Sequence, residues 1–312
     1  MSNSAPPAQA VRYHDYGDPS VLRLEDIPRP VPNDGEVLVR VRAAGVVPMD
    51  WKLRAGHLKD FMPLEFPHVP GYELAGTVDA VGEGVAGLQP GDDVFGRGSG
   101  AHATHAIAPV ATLAKKPAQL SFEEAAHLGM SGVTAWQLVD AAGLQQGQRV
   151  LIHGGAGGVG SIAVQLAHWK GAHVLATTST ANVQHVRAMG ADDVIDYTRV
   201  PFENEVTDVD VVLDTVGGDA LDKSWGVLKP GGLLITTAAM TPDPETAASH
   251  GVRVASLPRT EHVTPILNKL GDLAVSGVIK PQVAERFPLE DAARAHAASE
   301  TGHGRGRRVL IP

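Results

Sequence analysis

Apolar and polar residues alternate along Glu36-Val37-Leu38-Val39-Arg40-Val41-Arg42, the period of a half-buried strand. A second run, Leu74-Ala75-Gly76-Thr77-Val78-Asp79-Ala80-Val81, ends on the turn signal Gly82-Glu83-Gly84, and Gln89-Pro90-Gly91-Asp92 precedes a third, Asp93-Val94-Phe95-Gly96. Short strands punctuated by Gly and Pro predict a barrel-like β domain. From about residue 121 the rhythm changes. Ser121-Phe122-Glu123-Glu124 reads as a capping box opening a helix. Strand-like runs at 149–153, 173–178, 192–196, 209–215 and 232–238 then alternate with helical stretches. Between the first two, Ile162, Gln165, Leu166 and Trp169 share one helical face, and Gly171 suits the helix stop. Alternating β and α predicts a parallel sheet with right-handed crossovers. After about residue 258 the pattern is less regular, and the chain closes on the strand-like Arg308-Val309-Leu310-Ile311.

The 312 residues, 43% hydrophobic and 20% charged, suit two globular domains. The formal net charge of −9 argues against nucleic acid as a partner. Arg305, Arg307 and Arg308 form a small basic cluster, read as a solvated or anion-facing terminus. The chain has no cysteine, which excludes disulfides, a cysteine nucleophile and thiolate zinc ligation. The opening MSNSAPPAQA has neither a basic n-region nor an apolar core and reads as a frayed tail rather than a signal or anchor. No apolar run approaches the roughly 20 residues that span a bilayer. A soluble, cytoplasmic protein without a membrane partner is expected.

Gly155-x-Gly157-x-x-Gly160 lies between a strand and a helix, flanked by Gly154 and Gly158. In that context the first glycine permits a tight turn, the second lets backbone approach a pyrophosphate, and the third lets helix and strand pack closely. N–H groups at the helix start then bind the anion. In an NAD site, an acid at the end of the second strand grips the adenosine ribose and repels a 2′-phosphate. Here that zone holds Thr178-Ser179-Thr180, which points to NADPH. No Lys or Arg lies among residues 174–186, so Arg187 or a residue from elsewhere must supply any cation.

Longer stretches carry a resemblance. They are Asp50-Trp51-Lys52-Leu53-Arg54, Pro70-Gly71-Tyr72-Glu73-Leu74-Ala75-Gly76-Thr77-Val78, and Gly129-Met130-Ser131-Gly132-Val133-Thr134-Ala135-Trp136. The glycine loop, Gly190-Ala191-Asp192-Asp193-Val194-Ile195-Asp196-Tyr197, Asp214-Thr215-Val216-Gly217-Gly218 and Gly306-Arg307-Arg308-Val309-Leu310 follow in order. Together they resemble the zinc-free branch of the medium-chain dehydrogenase/reductase family, the quinone oxidoreductase or zeta-crystallin type, over nearly the full chain. The resemblance implies an α/β fold: a GroES-like β substrate domain (1–120 and 258–312) and a Rossmann domain with a doubly wound parallel sheet (121–257). It implies a cleft between them, and a homodimer formed through the edge of the Rossmann sheet. Carried over by position, Thr134 would meet the nicotinamide end of the cofactor, and Gly158 and Val159 the pyrophosphate. Ser179 and Tyr197 would lie near the adenosine phosphate, Thr215 and Val216 beside the nicotinamide ribose. Zinc relatives place a His at the position of Tyr72 and a Cys near that of Val47, so zinc catalysis is not expected. Quinone reductases usually carry Asn before the proline, where this chain has Val47-Pro48, which implies a more apolar pocket.

Hydride transfer needs neither nucleophile nor metal, only close placement of the reacting carbons. Reduction of a conjugated carbonyl must also stabilise and protonate an enolate. Lys52, Asp50 and Tyr72 are the candidate polar side chains: Lys52 as stabiliser or proton donor, Asp50 as hydrogen-bond acceptor, Tyr72 as pocket wall. Lys52 pairing with Asp50, and protonation by water, stay open. His102 and His105, three apart on a strand, would face opposite ways and do not suggest a metal site. Trp51, Phe61, Met62 and Phe66 read as core before they read as pocket lining. The expectation is an NADPH-dependent, metal-free reductase of a quinone or an apolar α,β-unsaturated carbonyl compound. An enoyl-thioester reductase, and a nucleotide-binding structural or regulatory protein on a reductase fold, are the alternatives.

Overall fold

The structure, a computed structural model, describes residues 7–238, 242–258 and 260–312. Residues 1–6 of the expected tail lie outside the described residues, but the rest of it is ordered into a strand. Strand β1 (Ala8–Arg12) pairs antiparallel with β2 (Arg23–Ile27) and buries Ala8, Ala10 and Val11, which is why it does not fray. Then follow β3 (Glu36–Val46), α1 (Pro48–Arg54), β4 (Glu73–Val81), β5 (Asp93–Arg97), β6 (His105–Pro109), β7 (Leu113–Lys115) and α2 (Phe122–His127). Helix α2 starts as its sequence dictates. The Glu124 N–H donates to the Ser121 hydroxyl at 3.2 Å and the Ser121 N–H donates to the Glu124 carboxylate at 2.9 Å.

Next come α3 (Val133–Ala142), β8 (Arg149–Ile152), α4 (Gly158–Trp169), β9 (His173–Thr178), α5 (Val183–Ala188), β10 (Asp193–Asp196) and β11 (Val209–Asp214). They are followed by α6 (Asp219–Ser224), β12 (Leu228–Thr236), α7 (Pro244–Ser249) and β13 (Arg253–Val254). The stretch without a regular pattern resolves into α8 (Thr264–Val275), β14 (Val283–Pro288), α9 (Ala292–Glu300) and β15 (Arg307–Ile311).

These elements gather into two compact units. One lies within Met1–Met130, Glu261–Val275 and Pro281–Pro312; the other within Ser131–Thr260 and Ser276–Lys280. The first unit is built on a sheet in the order β14-β15-β3-β4-β5-β7, with β6 also paired to β3. Its inner faces bury Val37, Val39, Val41, Leu74, Val94, Leu113 and Leu310, the apolar positions of the alternating runs. This is the GroES-like β architecture.

The second unit is a Rossmann-type sheet, wholly parallel, in the order β10-β9-β8-β11-β12-β13. Its central strands are covered on both sides, so Val150, Leu151, Ile152, Val212 and Leu213 are all fully buried and the runs read as continuously apolar. The order reverses between β8 and β11. In such sheets the crevice beyond the carboxyl ends at that reversal is where ligands bind.

Candidate active site

The glycine loop occupies that reversal. Gly154 leaves β8 with φ +72°, a left-handed conformation that favours glycine. A Cβ on Gly154 would stand 2.8 Å from Thr215 Oγ1, and one on Gly160 would come within 2.2 Å of the Gly154 carbonyl. The turn closes through Gly157 N–H to the Gly154 carbonyl (2.9 Å) and Gly155 N–H to the Thr177 carbonyl (3.0 Å). Helix α4 begins at Gly158 on a glycine N-cap, Gly157, with no capping side chain. This leaves its amino end shaped for an anion. The bare backbone at Gly154, Gly157 and Gly160 is a cradle that side chains would fill, so these residues fit a dinucleotide pyrophosphate.

Thr215 and Val216 follow β11, the strand beside β8, and the contact of Gly154 with Thr215 places them on the same crevice. Val216 is exposed there. Asp214, fully buried, fixes this turn: its carboxylate accepts the N–H groups of Val216 (2.9 Å) and Gly217 (3.0 Å) and the Thr236 hydroxyl (2.6 Å). Thr134 lies half-buried on α3 in the same unit.

Sequence reading missed the residue that braces the loop. His153, buried between β8 and the first glycine, sets Nδ1 at 3.1 Å from Thr177 Oγ1 and Nε2 at 2.9 Å from Ser224 Oγ. Its carbonyl accepts the Thr215 hydroxyl at 2.7 Å. Burial pushes its imidazole down to about 4, so it is neutral at neutral pH. The signal available in the sequence was a polar residue ending an otherwise apolar strand.

At the carboxyl end of β9, Thr178 is buried, so the accessible hydroxyls are those of Ser179 and Thr180. Tyr197 stands opposite, its N–H donating to the Thr178 carbonyl at 3.1 Å and its ring exposed. No acid ends β9, but one reaches the rim from β10: Asp196 accepts the Thr180 hydroxyl at 2.5 Å. The linear distance from Thr180 to Asp196 hid this neighbour, which the β9–β10 register creates.

In the first unit, Asp50 is buried on α1 and works as an anchor. Its Oδ2 accepts the Val47 N–H at 2.7 Å, and its Oδ1 accepts the Gly71 N–H at 3.1 Å. It thereby ties the Val47-Pro48 turn to the backbone beside Tyr72. Desolvation pushes its carboxyl up to about 7, against the two N–H bonds that favour the anion. Tyr72 is half-buried, its phenol raised by burial and then by the charge of Asp50. Lys52 does not pair with Asp50 among the described residues, since positions two apart on a helix point apart; its Nζ stands 5.8 Å from the Trp51 ring.

His102 and His105 have different surroundings. His102 is buried, its Nε2 3.3 Å from the Gly45 carbonyl and its Nδ1 3.3 Å from His296 Nε2. His105 lies in β6 beside the Thr104 hydroxyl. Among the described residues, no three of His, Cys, Asp or Glu gather as a metal-holding set. The expectation that Phe61 and Met62 fill core is corrected: they are 79% and 45% exposed, on the turn that follows α1. Phe66 is also solvent-facing at one edge, although its ring packs on Tyr13 and Tyr16.

Known proteins match both units. Residues 33–118 match the family model described as alcohol dehydrogenase GroES-like domain, and 189–310 the one described as zinc-binding dehydrogenase. The chain is 37% identical over 321 residues to 2-methylene-furan-3-one reductase of Solanum lycopersicum, covering 97% of this chain and 79% of that protein. It is also 37% identical to the chloroplastic NADPH-dependent alkenal/one oxidoreductase of Arabidopsis thaliana, covering 96% and 78%. The solved quinone oxidoreductase of Coxiella burnetii superposes with a TM-score of 0.92 at 34% identity, covering 98% of this chain and 100% of that one. The chain belongs to the quinone oxidoreductase (zeta-crystallin-like) family of medium-chain dehydrogenases/reductases.

Proposed function

We propose that this member of the quinone oxidoreductase family is an NADPH-dependent reductase of quinones or α,β-unsaturated carbonyl compounds that works without a metal. The observation that carries the reading is the glycine turn Gly154–Gly160 at the strand-order reversal, with Thr215 and Val216 on the same crevice. The relatives' own activities supply the acceptor class. When bound, NADPH supplies the hydride.

Gly155, Gly157, Gly158, Val159 and Gly160 would hold the pyrophosphate, Thr215, Val216 and Thr134 the nicotinamide end, and Ser179 and Tyr197 the adenosine end, with buried Thr178 shaping the strand beneath. On the substrate side, Lys52 and Tyr72 would donate to the acceptor oxygen as it gains negative charge, and Asp50 would position the backbone at Tyr72. Val47, buried and apolar, favours an apolar substrate over a polar one. A cytoplasmic location completes the reading, and the cysteine-free composition is compatible with it. By resemblance the protein works as a homodimer joined at an edge of the second unit's sheet.

Incubation with an α,β-unsaturated ketone and NADPH deuterated at the transferable position tests this. Deuterium at the β-carbon of a saturated ketone is the expected product, read by mass spectrometry. An allylic alcohol labelled at the carbonyl carbon, the mark of alcohol dehydrogenase chemistry, would contradict it.

A further inference from the structure

Ser179 offers a hydroxyl to a 2′-phosphate but no charge, the Thr180 hydroxyl is taken by Asp196, and no Lys or Arg lies within residues 174–186. We propose that Arg199 is the specificity-determining residue that grips the 2′-phosphate of NADPH. This rests on the NADPH reading above.

The fold brings Arg199 to the right rim. Strands β9 and β10 run parallel with Asp196 opposite Thr178, and Tyr197 N–H to the Thr178 carbonyl holds the chains together one residue further. The chain then turns, Arg199 N–H donating to the Asp196 carbonyl at 3.0 Å. The Asp196 carboxylate is the hub of this corner. Its Oδ2 takes the Thr180 hydroxyl and lies 3.4 Å from Arg199 Nε. Its Oδ1 takes the N–H and hydroxyl of Thr198 at 3.1 and 2.6 Å. The guanidinium therefore stands beside Thr180 at the carboxyl end of β9, 72% exposed and able to turn outward. Asp196 would keep its Thr180 and Thr198 donors and its Arg199 Nε contact, so the guanidinium would stand between the carboxylate and the phosphate and screen one anion from the other.

Arg187, the other candidate in sequence, is not tied to this corner. It lies in α5, about 6 Å of helix rise beyond Val183, and among the described residues neither Ser179, Thr180 nor Asp196 holds its side chain. A planar guanidinium also suits a phosphate bidentately.

The test is isothermal titration of the full-length protein with NADP+, NAD+ and adenosine 2′-monophosphate, on wild type, Arg199→Gln, Arg199→Lys and Arg187→Gln. Losing one charge-assisted pair predicts roughly 10- to 100-fold weaker NADP+ binding by Arg199→Gln. Adenosine 2′-monophosphate should weaken in parallel, and NAD+ should change less than about twofold. Arg199→Lys should retain part of the preference, and Arg187→Gln all of it. Arg199→Gln keeping the full NADP+ over NAD+ preference of the wild type would overturn the assignment of Arg199 while leaving the NADPH reading intact. A wild type with no such preference would overturn both.

Discussion

Glu73 and Arg307 form a buried ion pair, Glu73 Oε2 to Arg307 Nε at 3.0 Å, that joins the start of β4 to the start of β15 on either side of β3. Glu73 also accepts the Met130 N–H at 3.1 Å, and Arg307 donates through Nη1 to the Val46 carbonyl at 3.0 Å. Two segments separated by more than two hundred residues are thus pinned together next to Tyr72 and Val47. Removing one charge leaves the other buried without its nearest counter-charge, which costs up to about 3–5 kcal/mol. Glu73→Gln and Arg307→Met should each lower the urea midpoint accordingly, and the double variant should lose less than the sum. Singles that cost under about 1 kcal/mol would contradict this role.

Gly160→Ala should abolish the close approach of α4 to the loop, because a methyl there would press into the Gly154 carbonyl. Overpacking at such a backbone contact costs about 1–3 kcal/mol. NADPH affinity, read by quenching of intrinsic fluorescence, should fall at least about tenfold, since the pyrophosphate cradle itself shifts. Affinity within about twofold of wild type would contradict the cradle assignment.

Stability should fall as pH drops from about 6.5 to about 4, the window set by the ordinary histidine value and the depressed values of His153 and His102. Both are neutral when folded, so the unfolded chain takes up protons first; their contribution is present above the unfolded value and lost as pH falls through the folded one. His296, also depressed by burial, acts in the same direction. Asp50 opposes them: its raised value stabilises the folded state in acid, and that contribution fades as pH rises to about 7. His153→Gln, which can still bond Thr177 and Ser224, should flatten the profile by up to about 3 kcal/mol between pH 4 and 7. An unchanged slope in thermal or urea unfolding would contradict the neutral, buried assignment.

Lys52→Met should lower kcat for an enone by roughly 10- to 100-fold with little change in NADPH affinity, if its ammonium meets the developing oxyanion. Tyr72→Phe should act in the same direction and more weakly. Unaltered kcat in both variants would move proton donation to water.

The parts of this molecule that were legible in the sequence are those in which local pattern and fold agree. The alternating run at Glu36 is part of β3, the capping box at Ser121 opens α2, and the glycine spacing stands between β8 and α4 as its strand–turn–helix context demands. What stayed hidden depended on contacts between distant segments. His153 gave no periodic signal because its role lies in Thr177 and Ser224, and Asp196 reaches Thr180 only through a parallel register. Phe61 and Met62 were misread because hydrophobicity alone does not distinguish a core side chain from an exposed one on a loop.

The most direct test of the central claim is the oxidation of NADPH and NADH, followed at the nicotinamide absorbance, with an enone, an enal, a quinone and an enoyl-thioester in turn. Turnover of an enone, an enal or a quinone, with kcat/KM for NADPH at least about tenfold above that for NADH and insensitive to chelator, is the predicted result. Equal or better use of NADH, or no oxidation with any of these acceptors, would contradict the account.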